Sequence, residues 1–418
     1  MLYRKVPKTG DELSILGFGC MRFPTKGRGI DEERTIRQIR SAIDRGVNYL
    51  DTAPVYHMGK SEQVLAKALA DGYRGKVRIA TKMPHWSVVT RADMDRILSE
   101  QLATLRTDHI DYYLLHTLNR TAFRRLVDLG VLEFLDAAKK DGRITNAGFS
   151  FHASLAEFKE IVDAYPWEFC QIQYNYLDEN NQAGTEGLEY AAGKGLAVIV
   201  MEPLRGGNLG GRMPESVQAI WDAAPVKRSP AEWALRWVWD HPEVTVVLSG
   251  MNEEAHIDEN IRVAGTAVPG SLSAEERATI DTAKDEFKRL MKVGCTGCGY
   301  CMPCPFGVDI PGCFAGYNTH HLFPHDSTGR FQYIGRHSGL MGQTSYAGLC
   351  RGCGKCAKVC PQHLPIPELM KQVSKEMDGL VIPVVVPILK AGLWCMNKAG
   401  AVRRAIFGEK CDGRSGQR

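Results

Sequence analysis

Two sets of residues in this chain have the types and spacing that do chemistry. The first is a pair of cysteine runs. Cys295, Cys298, Cys301 and Cys304 follow one another at two-residue intervals and end at Pro305; Cys350, Cys353, Cys356 and Cys360 follow after a long gap and end at Pro361. Soft thiolates select iron–sulfur clusters or zinc. Zinc pairs two C-x2-C knuckles and leaves no need for so dense a run, and disulfides are disfavoured in a reducing compartment. Three thiolates at this spacing wrap one face of a cuboidal cluster, and a distant fourth closes it. Two 4Fe-4S clusters are the expectation. The second set is sparse. Tyr49-Leu50-Asp51-Thr52-Ala53-Pro54-Val55-Tyr56 is an apolar run that ends in an acid, turns at a proline and presents a tyrosine. Two later apolar runs end at Lys82 and His116.

Together these four groups make a proton donor. A tyrosine titrates near a pKa of about 10 and donates poorly at neutrality. An adjacent ammonium favours the phenolate and lowers that pKa, and an aspartate keeps the ammonium charged and oriented. A neutral histidine hydrogen-bonds a carbonyl oxygen and positions it. The set suits protonation of an oxyanion as hydride arrives from a nicotinamide. Each residue also has an ordinary reading: Lys82 as a solvated strand end, His116 as a satisfied core histidine, Asp51 as a helix cap. What favours the joint reading is that successive strands would supply the four in order.

The elements that must position them alternate. A hairpin of Tyr3-Arg4-Lys5-Val6 and Leu13-Ser14-Ile15-Leu16 merges with a first strand ending near Gly19. Helices are expected from residue 31 to Gly46 and over 61–69, 91–105, 132–140, 155–164, 187–194, 230–239 and 256–263. Strands are expected over residues ending at Asp51 and over 77–82, 110–116, 144–150, 169–175, 197–201 and 244–248. Short apolar strands alternating with amphipathic helices imply parallel pairing through crossovers. Eight such units in about 250 residues close into a (β/α)8 TIM barrel, whose active site lies at the carboxyl ends of the strands. An open doubly wound sheet would want a third glycine in Gly17-Phe18-Gly19-Cys20-Met21-Arg22.

Residues 1 to about 265 resemble the aldo/keto reductase family, a barrel that uses nicotinamide without a Rossmann domain. The resemblance is carried by Asp51-Thr52-Ala53 with Tyr56, Gly59 and Ser61-Glu62, then by Thr81-Lys82 and Leu114-Leu115-His116. It implies Tyr56 as general acid, Lys82 and Asp51 as its tuning pair, and His116 as the group orienting the carbonyl. Ser150, in Gly148-Phe149-Ser150, and Gln171 match the positions that hold the nicotinamide carboxamide, although Phe151 stands where the family has asparagine. Met201 occupies the place of a ring that stacks on the nicotinamide. Leu204-Arg205-Gly206-Gly207 resembles the pyrophosphate loop, and Ser249, Gly250, Glu259 and Asn260 the adenosine end. Gly250 and His256 stand where some NADP-preferring members have lysine and arginine, so NADP(H) and NAD(H) both remain open. The cysteine runs resemble bacterial dicluster ferredoxins, in which the fourth cysteine of each run serves the other cluster. That implies Cys295, Cys298, Cys301 and Cys360 on one cluster, and Cys350, Cys353, Cys356 and Cys304 on the other.

The domains expected are a barrel over 1–266, a helical linker over 267–294 opening at Ser273-Ala274-Glu275-Glu276, a mainly helical ferredoxin-like iron–sulfur domain over 295–378, and a tail over 379–418. The stretch from Gly307 to Leu349 is either a cover for the barrel mouth or a connector with small helices of its own. Cys313 reads as a buried thiol, with a substitute ligand as the alternative. A net charge of +4 on 418 residues gives no case for nucleic-acid binding. No apolar run reaches the ~20 residues that span a bilayer, and Met1-Leu2-Tyr3-Arg4-Lys5 leads into no signal-peptide core. A cytoplasmic enzyme is expected. It would interconvert a small-molecule carbonyl and an alcohol, with its clusters wired to a ferredoxin or flavoprotein partner. Nicotinamide does not readily pass single electrons, so a flavin on the same barrel is an alternative. A redox-sensing or regulatory subunit with structural clusters is another.

Overall fold

The computed structural model describes residues 1–27, 29–211, 213–295, 297, 299, 301–323, 328–340, 343–360, 362–379 and 381–388. They fall into two compact units, Met1–Leu290 and Met291 onward.

The first unit opens with an antiparallel hairpin, β1 (Tyr3–Lys5) and β2 (Glu12–Ser14). Then come β3 (Leu16–Gly19), a small second hairpin of β4 (Thr25–Lys26) and β5 (Gly29–Ile30), α1 (Glu32–Asp44) and β6 (Tyr49–Asp51). The alternation continues with α2 (Ser61–Ala68), β7 (Arg78–Pro84), α3 (Arg91–Leu105) and β8 (Ile110–Leu118). Two helices follow, α4 (Arg120–Asp128) and α5 (Val131–Lys140), then β9 (Ile144–Phe151), α6 (Leu155–Asp163), β10 (Phe169–Gln173), α7 (Gly184–Gly193) and β11 (Ala197–Met201). Two more helices, α8 (Glu215–Ala223) and α9 (Pro230–Trp239), precede β12 (Val244–Ser249), α10 (Glu254–Ala264) and α11 (Ala274–Leu290).

Strands β3, β6, β7, β8, β9, β10, β11 and β12 pair in that order, all parallel, and β12 returns to β3 to close an eight-stranded barrel. The closure is driven from inside. Tyr49, Tyr112, Leu114, Phe169, Ile199 and Val246 fill the barrel interior, and Val6 and Leu13 of the first hairpin join them. Gly148 makes room for this packing: a Cβ there would lie 2.5 Å from the Phe169 ring. The helices begin where their caps predict. Asp31 accepts from the Arg34 amide, Thr90 and Asp93 form a capping box, and Ser229 caps α9 ahead of Pro230.

Four departures from the sequence reading have physical causes. Helices α4 and α8 are additional; Asn119 caps the first, and Val217 and Trp221 bury one face of the second. The β4–β5 hairpin is only two residues a side, too short for a periodic signal. Helix α11, read as a linker, belongs to the first unit, because Ile280, Ala283 and Phe287 are buried along one face and the helix packs on α8. That helix also ends at Leu290, short of the expected bound at residue 294.

The second unit is helical, with no strand among its described residues. It comprises α12 (Ile310–Leu322), α13 (Thr328–His337), a short α14 (Lys355–Lys358), α15 (Ile366–Val373) and π-helical turns at Ser374–Asp378 and Val381–Val385. Its core gathers Phe314, Tyr317, Tyr333, Met370, Val373 and Met377. The stretch from Gly307 to Leu349 thus carries two helices of its own. A buried Asp378 ties it together, accepting from the Tyr333 hydroxyl and from the Gly348 amide at 2.8 Å.

Candidate functional site

Parallel strands place Asp51, Lys82, His116 and Ser150 in neighbouring registers at one end of the barrel. Asp51 pairs with Ala80, two residues before Lys82; Lys82 pairs with Leu114, two before His116; Gln171 pairs with Ser150 directly. Successive side chains of a strand alternate faces, so two-residue steps keep these groups on one side. Tyr56 follows from the turn that Pro54 starts after β6.

Lys82 is the centre. Its ammonium donates to both carboxylate oxygens of Asp51 at 2.6 and 2.8 Å, to the Thr52 carbonyl at 2.9 Å and to the Tyr56 hydroxyl at 3.3 Å. Lys82 is only 1% exposed. Burial pushes the Asp51 carboxyl up and would pull Lys82 down; the contact between them opposes the first effect and overcomes the second, so Lys82 is held charged. Burial raises the Tyr56 phenol, and Lys82 pulls it back. The phenol therefore keeps its proton at neutral pH, yet a phenolate formed there would lie against an ammonium. His116 is driven well below its ordinary value by burial, with Lys82, His152 and His85 adding to the effect. It is a neutral imidazole, edge-on to the Tyr56 ring at 6.3 Å and tilted against Trp86 at 5.3 Å.

A polar network behind the four fixes the backbone they hang from. Ser61 Oγ donates to the Cys20 carbonyl and contacts Thr52 Oγ1. Glu62 accepts from Thr81 Oγ1 at 2.7 Å and from Gln101 Nε2, and Gln101 also donates to the Lys82 carbonyl. Every member is buried, and satisfied buried networks specify one arrangement.

The residues matched to a nicotinamide site are brought together at the ends of β9, β10 and β11. Ser150 Oγ accepts from the Thr117 amide at 2.7 Å, which leaves its hydroxyl hydrogen to give. Gln171 lies beside it. Its Nε2 faces Met201 Sδ at 3.8 Å, while its buried Oε1 has no partner. An unpaired buried carbonyl oxygen beside a hydroxyl donor is the complement of a carboxamide. The nicotinamide thus fits the residues present. Leu204 and Gly206 lie in a tight turn in which Arg205 and Gly206 both take positive φ. At the end of β12, Asn260 Nδ2 donates to Ser249 Oγ at 3.0 Å, and Glu259 accepts from Ser229 Oγ. Gly250 lies under Arg22, whose Cβ would be 3.1 Å from an added Cβ.

Several contacts around this end of the barrel escape the sequence reading. Arg205 is buried and ion-paired with Asp178 at 3.2 Å, and Asp178 also accepts from Gln173 and Asn175. Trp86 lies against His116 and against His85, His85 and His152 are near enough to act on His116 electrostatically, and both ring nitrogens of His85 are buried without partners among the described residues. His57 and Met58 take left-handed backbone right after Tyr56; the His57 ring stacks on Phe23 at 5.0 Å and accepts from its amide at 3.0 Å. No periodicity signals these, because the contacts join residues distant in sequence.

In the second unit, Cys295, Cys301 and Cys360 line one cavity, walled by Ile310, Pro311, Phe314, Leu364 and Ile366. The cavity thus joins the first run to the last cysteine of the second. Cys356 lies within electrostatic reach of Cys350 and Cys353, and Cys350 Sγ accepts from the Gly352 amide at 3.5 Å. Cys298 lies outside the described residues, as do Cys395 and Cys411. No described cysteine forms a disulfide. Among the described residues no three His, Cys, Asp or Glu converge on one metal ion; thiolates around a cavity fit a multi-atom cluster better. Cys313 is fully buried, its thiol raised by burial and set against the Ser345 carbonyl at 3.6 Å. The glycines carry a signal that was legible. Both runs read C-x-G-C-G-x-C, and Gly297, Gly299, Gly352 and Gly354 all take φ between +68° and +76°. L side chains avoid that region, so these glycines make turns that other residues would resist.

Comparison with known proteins falls along the same division. The model of the Aldo/keto reductase family matches residues 15–285, and that of the 4Fe-4S dicluster domain matches residues 294–365. Aldo-keto reductase YhdN of Bacillus subtilis is 26% identical over 319 residues, covering 68% of this chain and 93% of that protein. L-galactose dehydrogenase of Arabidopsis thaliana is 22% identical, covering 69% of this chain and 95% of that protein. The solved structure of aldo-keto reductase AKR11C1 from Bacillus halodurans, in its holo form, superimposes with a TM-score of 0.57 at 26% identity, covering 68% of this chain and 96% of that one.

Proposed function

Since the chain belongs to the aldo/keto reductase family of oxidoreductases and carries a 4Fe-4S dicluster domain, we propose that it reversibly reduces a small-molecule carbonyl to an alcohol with NAD(P)H, and that two 4Fe-4S clusters exchange electrons with a ferredoxin or flavoprotein. The observation that carries the catalytic half is the single ammonium of Lys82 holding Asp51 and the Tyr56 hydroxyl at once.

A nicotinamide bound beside Ser150, Gln171 and Met201 supplies the hydride. Ser150 and Gln171 hold its carboxamide. Leu204 and Gly206 line the pyrophosphate loop, and Ser249, Gly250, Glu259 and Asn260 receive the adenosine. His116 stays neutral and donates to the carbonyl oxygen, fixing it near Tyr56. Tyr56 gives its proton to that oxygen as negative charge develops. Lys82 stabilises the phenolate left behind, and Asp51 keeps Lys82 charged in a site from which burial excludes water. In the reverse direction the same phenolate takes the alcohol proton. Cys295, Cys298, Cys301 and Cys360 would hold one cluster, and Cys304, Cys350, Cys353 and Cys356 the other; one-electron transfer is the chemistry such groups supply. The cytoplasm, where these thiols stay reduced, is the compartment this reading requires.

The test is Tyr56→Phe. Turnover should fall by about 10²–10⁴-fold, the range for a lost general acid, while fluorescence titration shows nicotinamide binding retained. Undiminished turnover would refute the assignment. On NADPH against NADH, the same titration on the unaltered protein decides the preferred cofactor.

A further inference from the structure

The two cysteine runs share a backbone design and differ in charge. Between Cys295 and Cys304 there is no charged residue, and the cavity beside that run is apolar. The second run sets Arg351, Lys355 and Lys358 among its four cysteines. All three cations are exposed, and Cys353 and Val359 are exposed with them, Val359 to 52%. Some surface cations of this protein are ion-paired, as with Arg34 and Glu253 or Lys159 and Glu186, and others, such as Lys26, Lys60 and Lys371, form no ion pair with a described residue; what sets Arg351, Lys355 and Lys358 apart is that they crowd into one short cysteine run. None of these three forms an ion pair with a described residue. Three cations so close in sequence, with exposed Val359 beside them and no ion pair to a described residue, add little to the stability of a fold. They do suit an encounter with an acidic surface, which opposite charge accelerates and orients.

We propose that the face formed by Arg351, Cys353, Lys355, Lys358 and Val359 is the docking surface for a small redox protein whose own cofactor is ringed by carboxylates, and that electrons cross there. The proposal rests on the reading that this unit holds two 4Fe-4S clusters. The patch is small, as weak electron-transfer encounters are. Cys353, a ligand in this reading, stands between Arg351 and Lys355 in the chain and so brings a cluster sulfur close to the contact. In each event one electron leaves the partner, which is oxidised, and enters the cluster held by Cys350, Cys353 and Cys356, which is reduced; no bond or proton changes hands. The same three cations favour the more negative, reduced state by Coulomb attraction. The cations at this face therefore raise the midpoint potential of the cluster held there.

The experiment uses the full chain with its clusters, under anaerobic conditions, and the triple variant Arg351→Gln, Lys355→Gln, Lys358→Gln. The donor is an acidic 2Fe-2S ferredoxin reduced beforehand, followed by stopped-flow absorbance at low and high salt. The unaltered protein should lose roughly tenfold in second-order rate as salt screens the encounter. The variant should start about tenfold slower at low salt and respond little to further salt. Reduction by a photoreduced deazaflavin, a neutral donor, should be equal in both. An electron-paramagnetic-resonance redox titration should show the midpoint of the cluster at this face lowered in the variant. Equal rates and equal salt dependence overturn the docking surface. So does a slowing that is the same with both donors. Iron analysis separates the two levels: iron retained without any charge effect sinks the docking proposal alone, whereas purified protein with no cluster iron overturns it together with the dicluster reading.

Discussion

The two units build their sites in opposite ways. In the barrel, Asp51, Lys82 and His116 come from three strands, and they meet only because β6, β7 and β8 lie side by side in fixed register. In the second unit the cysteines are neighbours in sequence, and left-handed glycines between them curl the chain locally. A site assembled across strands depends on burial, charge pairing and the network behind it. A site wound from one short run depends on backbone dihedrals that its own residues permit. The two should therefore fail differently.

The largest effect is expected at the buried pair of the barrel. Lys82→Met leaves Asp51 charged and unpaired in a buried site, which should cost about 3–5 kcal/mol of stability and about 10²-fold or more in turnover. Adding Asp51→Leu removes the stranded charge. The double variant should regain most of the stability by denaturant titration but none of the turnover. Recovery of turnover would mean that the pair serves the fold and not the reaction.

A smaller effect, and one peculiar to the strand-end site, concerns pH. Burial lowers His85 to about 4, with Arg125 adding to it. The unfolded chain takes up a proton near pH 6.5 that the folded chain refuses until about pH 4. Stability is therefore fully present above 6.5 and is lost as pH falls between those values, by up to about 3 kcal/mol for this residue. His85→Phe should flatten the acid limb of the stability profile by a sizeable part of that amount. An unchanged limb would place the acid sensitivity elsewhere, with His116 as the next residue to replace.

The smallest effect tests the local design. Gly352 lies at φ +68° with open space around it, so Gly352→Ala meets no clash and pays only for its backbone, about 1–2 kcal/mol. Cluster iron should fall or become more labile while the thermal transition of the barrel stays where it was. A barrel transition that moved with this variant would break the division between the two kinds of site.

Much of this molecule could be read before it was folded. The alternation of short apolar strands with amphipathic helices fixed eight units, because periods of 2 and 3.6 are properties of local backbone and survive in the order of residues. Asp51, Lys82, His116 and the cysteine runs were legible for the same reason: each stands at the end of an element or at a spacing a metal cluster imposes. Helices α4 and α8, the β4–β5 hairpin and the place of α11 were not, since each depends on what the element packs against. The resemblance already implied that Lys82 and Asp51 serve Tyr56 and that Cys360 joins Cys295 and Cys301; tertiary structure alone decided the distances at which Lys82 holds both partners, that Glu62 and Gln101 brace it, and that Arg205 closes on Asp178. These are contacts between residues far apart along the chain. Their energy comes from charge and hydrogen bonding in a buried setting, and only the folded chain creates that setting.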